Sequence, residues 1–574
     1  MKIKIIMFIT LILLLSLTAV SAGENDTLLA AGEDIYVDDY VGSDLNDGLL
    51  NSTPVKSIDK AIKISDIDST IHLNDGIYAG DKNTRILIDK SLTIEGSQNT
   101  IIDGENKNYI FTITGNVKVT FKNIKFINAY KSPESYAINY PDAVYGSAVE
   151  IKNANVIIDN CSFENNQVTY STNNKYTYGG AISNSGTLTI TNSKFISNIA
   201  HSTSGLFSYG GSIYNDGDLL INSSEFLKST SDDFSYGGVI ANNANLIIDN
   251  TIIKNSYSAQ ESRGGVIYNT GKFKLTNSII KDNVISKANF QYIYGAIYNS
   301  GTFTAYSNIF KNNTGVYSTP SRGSPTIYST GKLNLTYNLF LGNVPFEGIC
   351  KDVYVSSGEV ISLDNNWWVS NENPYSIGAV NLDEKINSWL VLNITPEYCG
   401  LNVGDSIDII ASWMLNIPID FNLDLIPEVS ISINSNDYIL KNQLTCTFKD
   451  TQVKGLYSVP VVLCDFTQIV EVDVGKIKTN INVDVNDNLT YMDDLNISVN
   501  IKGDDNLNPD GVVLIFISDN VYNITLKNGC ANYQIHGLNP GSYELKVSYN
   551  GSYNYFKSYY TSKVTVNKRS VYMN

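Results

Sequence analysis

The sequence predicts an all-β chain in which a parallel β-helix, a single-stranded solenoid, is followed by one or two β-sandwiches. Three observations predict it. One phrase recurs six times between Ser147 and Pro325, clearest in Gly179, Gly180, Ala181, Ile182, Ser183, Asn184, Ser185 and Gly186, at a period of roughly 27 to 33 residues, which is the range of stacked solenoid units. Each copy holds short runs of alternating or β-branched residues, such as Leu246, Ile247 and Ile248, with no 3.6-residue stripe long enough for a helix. Charged residues are only 17%, whereas Gly and Tyr number 41 and 38, a balance that suits long β surfaces better than helices.

The elements follow in chain order. Lys2 and Lys4 precede an apolar run over residues 5–17, and Val20, Ser21 and Ala22 have the small-residue spacing of a cleavage site, so residues 1–22 are expected to be a signal peptide and the protein to be exported to the cell surface or beyond. A retained membrane anchor is the alternative, weighed against the shortness of the run. Residues 23–33 are a linker. Residues 35–48 read as a strand and a loop, and residues 55–64 as an amphipathic helix with Pro54 at its first turn, the plug for an open solenoid end. The β-helix is expected over 34–375.

Aligned copies name the columns of that helix. Ile182, Ile213, Ile240, Ile267, Ile297 and Ile327 form one inward column, and Phe195, Phe226, Ile253, Ile280, Phe310 and Phe340 another. Asn184, Asn215, Asn242, Asn269 and Asn299 make an expected asparagine ladder, and Gly186, Gly217, Gly271, Gly301 and Gly331 the tight turn beside it. The repeat ends near residues 371–389. Two stretches of alternating strands, 390–475 and 477–568, then read as β-sandwiches, the second more clearly than the first. Cys399, Trp413 and Cys464 fall in the order of an inter-sheet disulfide with its tryptophan.

Several function classes are disfavoured. A net charge of -17 argues against nucleic acid or anionic lipid as partner. No Cys-x-x-Cys pair or histidine cluster suggests a metal, and no cofactor is implied. A carbohydrate-active enzyme of this shape needs acidic residues in one column of adjacent coils. Asp159 and Asp249 share a column, but Thr191 and Asn222 lie between them, so the two carboxylates stand about 14 Å apart. Asp232 and Asp233 read as a solvated loop. Asp38, Asp39, Asp44 and Asp47 fit a polar turn better than a calcium loop, and His72, His201 and His536 are too dispersed for a triad.

What varies from coil to coil is a loop leaving one corner. Just before re-entry these loops carry Tyr145, Tyr178, Tyr209, Tyr236 and Tyr294, with Arg263 in the same column. The row reads either as structural stacking or as a ligand-binding strip.

The phrases GSDLNDG, SIDKAIKI, IHLNDGIY, LTIEGS and IIDG between residues 35 and 104 resemble the start of pectate-lyase-like β-helix proteins. The later coils and the phrase Asn365, Asn366, Trp367, Trp368 are similar to adhesin-like surface proteins of methanogenic archaea, and residues 537–551 to the closing strands of bacterial Ig-like surface modules. The resemblance implies a right-handed helix, Ig-like stalks and surface display. The expected function is therefore that of an exported adhesin-like protein whose loop-lined face meets glycans or surface proteins of other cells and its own cell envelope. A polysaccharide lyase or glycoside hydrolase, and a structural envelope protein, are the alternatives.

Overall fold

The computed structural model describes residues 32–569, apart from 134–142, 171–175, 203–206, 233, 259–262, 286–294, 316–324, 345–350, 383–384, 403, 505 and 553. The signal peptide expected over residues 1–22 lies outside the described residues. Among these, no helix is long and apolar enough to cross a membrane.

From Asp34 to Trp368 the chain winds as a parallel β-solenoid. Its main wall is a 20-stranded sheet, opposed by an 11-stranded sheet that runs from Gly76–Ala79 to Trp367–Trp368. The expected columns are the observed registers. Ile182 lies beside Ile213, then Ile240, Ile267, Ile297 and Ile327, all fully buried. Phe195 lies beside Phe226, and the column continues through Ile253, Ile280, Phe310 and Phe340. The Phe195 and Phe226 rings stack at 4.6 Å and 9°, so consecutive coils share dispersion contact over whole ring faces.

The asparagine ladder forms as expected. Each Nδ2 donates to the next coil's Oδ1, Asn184 to Asn215 at 2.8 Å, Asn215 to Asn242 at 2.7 Å, Asn242 to Asn269 at 2.7 Å and Asn269 to Asn299 at 2.8 Å. Ser329 Oγ ends the column, accepting from Asn299 at 3.0 Å. Two further ladders run inside the solenoid. In one, the backbone N–H groups of Ser193, Ser224, Thr251, Ser278, Asn308 and Asn338 each donate to a side-chain oxygen one coil on. In the other, Asn283 donates to Asn313, Asn313 to Asn343, and Asn343 to the buried Asp352. These ladders satisfy backbone and amide groups that no strand reaches.

Two corners of each coil are made by residues in the left-handed region. Asn160, Asn192, Asn250 and Asn277 stand at one (φ 51°, 51°, 46° and 49°), Asn165, Asn255, Asp282 and Asn312 at the other (φ 53–55°). Asn and Asp enter that region at least cost among residues other than glycine. The glycines after the ladder act differently from the expectation. Gly186 and Gly217 have no left-handed φ; a Cβ at Gly217 would instead stand 2.1 Å from the Gly186 carbonyl oxygen. They are small because stacked backbones touch there, while the left-handed turn belongs to the first glycine of the Gly-Gly pair, as at Gly179 (φ 68°).

The expected N-terminal helix is shorter than the sequence suggests. Helix α1 (Ile58–Ile64) starts at the N-cap Ser57, whose side chain accepts from the Lys60 amide. Pro54 lies outside it: Val55 bridges Val37, and the Pro54 carbonyl accepts from the Ser43 amide and the Asn46 side chain. Ile58, Ala61 and Ile62 join the solenoid core.

Beyond the solenoid stand two pairs of antiparallel-rich sheets with one strand plan. The first pair is a three-stranded sheet (Leu390–Thr395, Ile407–Leu415, Gln443–Phe448) and a five-stranded sheet ordered Tyr398–Leu401, Phe466–Val474, Gly455–Leu463, Val429–Ile433, Asn436–Leu440. The second repeats this order strand for strand, from Thr479–Val485 to Ser558–Asn567, including a parallel pairing of the short second strand with the last. Each pair closes over its own apolar core. Cys399, Cys446 and Cys464 are all free, so the disulfide suggested by their order is not formed.

The first of these units packs on the flank of the solenoid. One outward column of the 11-stranded sheet reads Lys125, Ser162, Lys194 and Glu225, then turns apolar as Ile252, Ile279, Ile309, Leu339 and Trp367. Ile309, Leu339 and Trp367 belong to the core of the first sandwich, and Trp367 meets Trp413 at 5.2 Å and Phe466 at 5.4 Å in edge contacts.

Candidate functional site

The loops singled out in the sequence leave and return through a fin on one corner of the solenoid. Outgoing segments make a seven-stranded sheet that includes Gln167–Tyr170, Ile199–Ser202 and Thr230–Ser231. Returning segments make a four-stranded sheet of Ala143–Tyr145, Tyr176–Tyr178, Phe207–Tyr209 and Phe234–Tyr236. Between them lies a small core of Val144, Val168, Tyr170 and Ala200. Further along the stack the filling becomes hydroxylic: Ser202 and Ser208 are 2.8 Å apart, and Ser231 and Ser235 are hydrogen bonded. The fin is thus held by register and by the Ser202–Ser208 and Ser231–Ser235 hydrogen bonds, and the loop tips are set on paired strands.

The returning sheet carries the predicted tyrosines. Tyr145 stacks on Tyr178 (4.8 Å, 10°), Tyr178 on Tyr209 (4.9 Å, 20°), and Tyr209 on Tyr236 (4.7 Å, 15°). The Arg263 guanidinium continues the row 5.6 Å from the centre of the Tyr236 ring. Tyr294 lies outside the described residues. All five described members of the row are half-buried.

A second tyrosine column, missed in the sequence, faces the first across the Gly-Gly crease. It occupies the outward position between the Ile and Asn columns, at Tyr214, Tyr268, Tyr298, Tyr328 and Tyr354. Tyr268, Tyr298, Tyr328 and Tyr354 stack in sequence at 5.3, 5.9 and 5.4 Å. The columns meet where Tyr178 approaches Tyr214 (4.5 Å) and where Tyr236 stands edge-on to Tyr268 (4.9 Å, 82°). The signal was present as the repeated Ile-Tyr-Asn triplet, read only for its Ile and its Asn.

This geometry decides what a ligand can touch. Within each column the ring faces are covered by neighbouring rings, so ring edges rather than faces are what a ligand can reach. Burial first, then neighbouring phenols, pushes the Tyr178 and Tyr209 hydroxyls well above the usual range, and Tyr268 up to about 12. Tyr178, Tyr209 and Tyr268 therefore stay protonated at physiological pH, with neutral hydroxyls that can both donate and accept.

The acidic residues are engaged elsewhere. Asp159 accepts from Thr191 Oγ1 (2.6 Å) and Asn192 Nδ2 (2.8 Å) one coil on, and Asp249 accepts in the same way from Thr276 and Asn277. They tie coils together at a corner. Asp38 accepts from the amides of Tyr40 and Val41, Asp44 from those of Lys56 and Ser57, and Asp47 from that of Leu49. His72, His201 and His536 each pair with a different aspartate, Asp34, Asp232 and Asp494. Among the described residues no group of three His, Cys, Asp or Glu side chains is placed to hold a metal ion.

On the outer face of the main wall an open depression of about 540 Å³ is lined by Thr189, Leu220, Ile247, Lys274 and Thr304, among others. Leu220 and Ile247 are 39% and 44% exposed there.

No family model and no curated protein sequence matches this chain. Among solved structures, the chain is similar to the GH136 lacto-N-biosidase from Eubacterium ramulus at 10% identity, over 57% of this chain and 67% of that one, with a TM-score of 0.25. It is similar to XylC, solved in complex with xylose, at 9% identity over 76% of this chain and 100% of that one (TM-score 0.25), and to fibronectin(III)-like modules of Clostridium thermocellum CbhA at 13% identity over 32% and 100% (TM-score 0.16). Likenesses this weak carry no argument about function.

Proposed function

We propose that the chain is an exported, adhesin-like surface protein. Its β-helix, taken as right-handed from the family resemblance and plugged by α1, presents the fin and its loops to glycans or surface proteins of other cells. The two sandwiches serve as Ig-like spacers toward the cell's own envelope. The observation that carries this reading is the fin. Loops of unequal length and sequence are hung from one corner of a register-locked scaffold, next to two rows of stacked tyrosines, most of them half-buried. Variable contact groups on a rigid frame lose little entropy on binding, and edge-on phenols suit hydroxyl-rich or amide-rich partners better than a sugar seeking an open ring face.

The test offers the purified protein to a panel of plant and microbial polysaccharides and to whole cells, with and without calcium, while bound ligand and released product are both measured. Binding that falls about tenfold in Tyr209→Phe/Tyr236→Phe, a change that keeps the rings and removes the hydroxyls, supports the reading. Product release above background overturns it in favour of a carbohydrate-active enzyme.

A further inference from the structure

The depression on the main wall is the middle of a regular face. Over residues 155–159 and the equivalent five of every later coil as far as Lys332–Thr336, neighbouring strands pair without a shift in register, so alternate residues stand outward in columns that repeat once per coil. In the coil of Ile247 the outward residues are Asn245, Ile247 and Asp249. One coil toward the N-terminus they are Asp218, Leu220 and Asn222, and one coil toward the C-terminus Lys272, Lys274 and Thr276. Two coils away stand Thr187 and Thr189 on one side and Thr302 and Thr304 on the other.

This face keeps apolar side chains in water without offering a sugar a surface to stack on. Leu220 and Ile247 are 39% and 44% exposed, whereas Phe273, among the described residues the one aromatic lining the depression, is 2% exposed. The Tyr306 ring at its margin already has Lys274 Nζ over it, 5.4 Å from the ring centre. Exposed charges of opposite sign flank the apolar centre, Asp218 on one side and Lys272 and Lys274 on the other.

That arrangement is complementary to itself. A half-turn about an axis lying in the face, along the strand of Ile247, reverses the order of coils and lays the face on a second copy with the same period. Asp218 of each copy then meets Lys272 of the other, Ile247 meets Ile247, Leu220 meets the methylene stem of Lys274, and Thr189 meets Thr304. Across these five coils the one contact of like charge is Asp249 with Asp249, and each of these carboxylates already accepts from Thr276 and Asn277 of its own chain. Moving the axis by half a coil sets Lys272 against Asn245 and loses both charge pairs, and turning it along the stack sets Lys274 against Lys274. The face is about 30 Å long and about 15 Å wide, so two copies would bury about 1,000 Å², near the lower end for a specific contact and enough where many copies meet at once.

We propose that the outer face of the main wall is a self-association site, on which two copies of this chain pack antiparallel about Ile247. The first sandwich shares its core with Ile309, Leu339 and Trp367 of the last coils, so in such a pair the C-terminal units leave from opposite ends. On the reading above, those units lead to the envelope of each copy's own cell. The pair therefore joins two cells, and one of the surface proteins met on another cell is this chain itself. The proposal rests on that reading only for the direction of the sandwiches, and the wall contact is independent of the fin.

The experiment couples the purified protein through its C-terminus to beads and measures bead clustering against protein density. The unaltered protein is expected to cluster. Asp218→Lys alone and Lys272→Asp alone each oppose like charges twice and should raise the density needed by about tenfold. An equal mixture of beads carrying the two variants should cluster as the unaltered protein does, because both charge pairs are restored between unlike beads. Tyr209→Phe/Tyr236→Phe should cluster unchanged even where its binding to glycans is lost. Absence of clustering in the unaltered protein, clustering of either single variant at the same density, a mixture that fails, or loss of clustering in the fin variant overturns the proposal. None of these outcomes alters the binding measured with polysaccharides, so the two readings fail separately.

Discussion

Lys131 Nζ lies 2.7 Å from Glu150 Oε2 at the root of the fin, with both side chains almost wholly buried. Lys152 reaches the other Glu150 oxygen at 2.8 Å. Burial alone would raise the Glu150 carboxyl, but the two ammonium groups outweigh it and hold it below its ordinary value. The pair joins the first outgoing strand of the fin to the main wall of the solenoid.

Lys131→Met leaves a buried carboxylate short of a partner and is expected to cost about 3–5 kcal/mol, while Lys131→Met with Glu150→Leu recovers most of that loss. Urea unfolding of the three proteins checks it. Because the Glu150 carboxyl is depressed in the folded state, its contribution is present above the unfolded value and is lost as pH falls through the folded one. The double variant should lose that part of the acid sensitivity.

Asp352 titrates in the opposite sense. It is enclosed in the solenoid at the end of an asparagine ladder, and burial raises its carboxyl to about 7 against the Asn343 hydrogen bond. Its neutral form favours folding, so the contribution is complete below the unfolded value near 3.8 and is lost as pH rises through about 7. The loss amounts to about 4 kcal/mol at most. Asp352→Asn is expected to remove the fall in stability between about pH 4 and pH 7, read as melting temperature against pH.

In the middle of the ladder, Asn242 accepts from Asn215 and donates to Asn269. Asn242→Ala strands both neighbours in a dry interior and should cost roughly 2–4 kcal/mol in urea unfolding. Asn242→Ser should cost less, because a serine already serves as acceptor at position 329.

Trp367→Ala removes the ring that meets Trp413 and Phe466 across the junction. A loss of about 3–5 kcal/mol is expected at that contact. Limited proteolysis between residues 369 and 389 should then release the C-terminal units faster, while the ellipticity of the solenoid is retained. Unchanged cleavage would show that the flank contact is held by other residues.

Much of this architecture was legible because a solenoid writes its contacts as a period. Ile182 and Ile213 align in sequence for the same reason that they touch. The same logic placed Tyr145, Tyr178, Tyr209 and Tyr236 in one row. The second tyrosine column went unread because its position alternates with Glu150, Ser183 and Ala241 in other coils, so its period is broken. The strand plan shared by the two sandwiches was hidden because antiparallel contacts join residues that no fixed spacing connects. The free cysteines show the limit of order along the chain: Cys399 and Cys464 stand in the sequence as a bridged pair would, yet Cys399 lies in a strand beside Val472 and the Cys464 sulfur lies toward Gly342 of the solenoid.

Successive rungs of the asparagine ladder are joined by 31, 27, 27 and 30 residues of chain, yet every amide-to-amide distance is 2.7 or 2.8 Å. The natural unit of lengthening or shortening is therefore a whole coil, whatever its residue count. Excision of residues 240–266 would bring Ile267 onto Ile213 and Asn269 onto Asn215 with like residues meeting like. Such a protein behaves as a ruler with interchangeable graduations, able to change its reach in steps of about 4.8 Å by duplicating or dropping one segment while its two ends stay as they are.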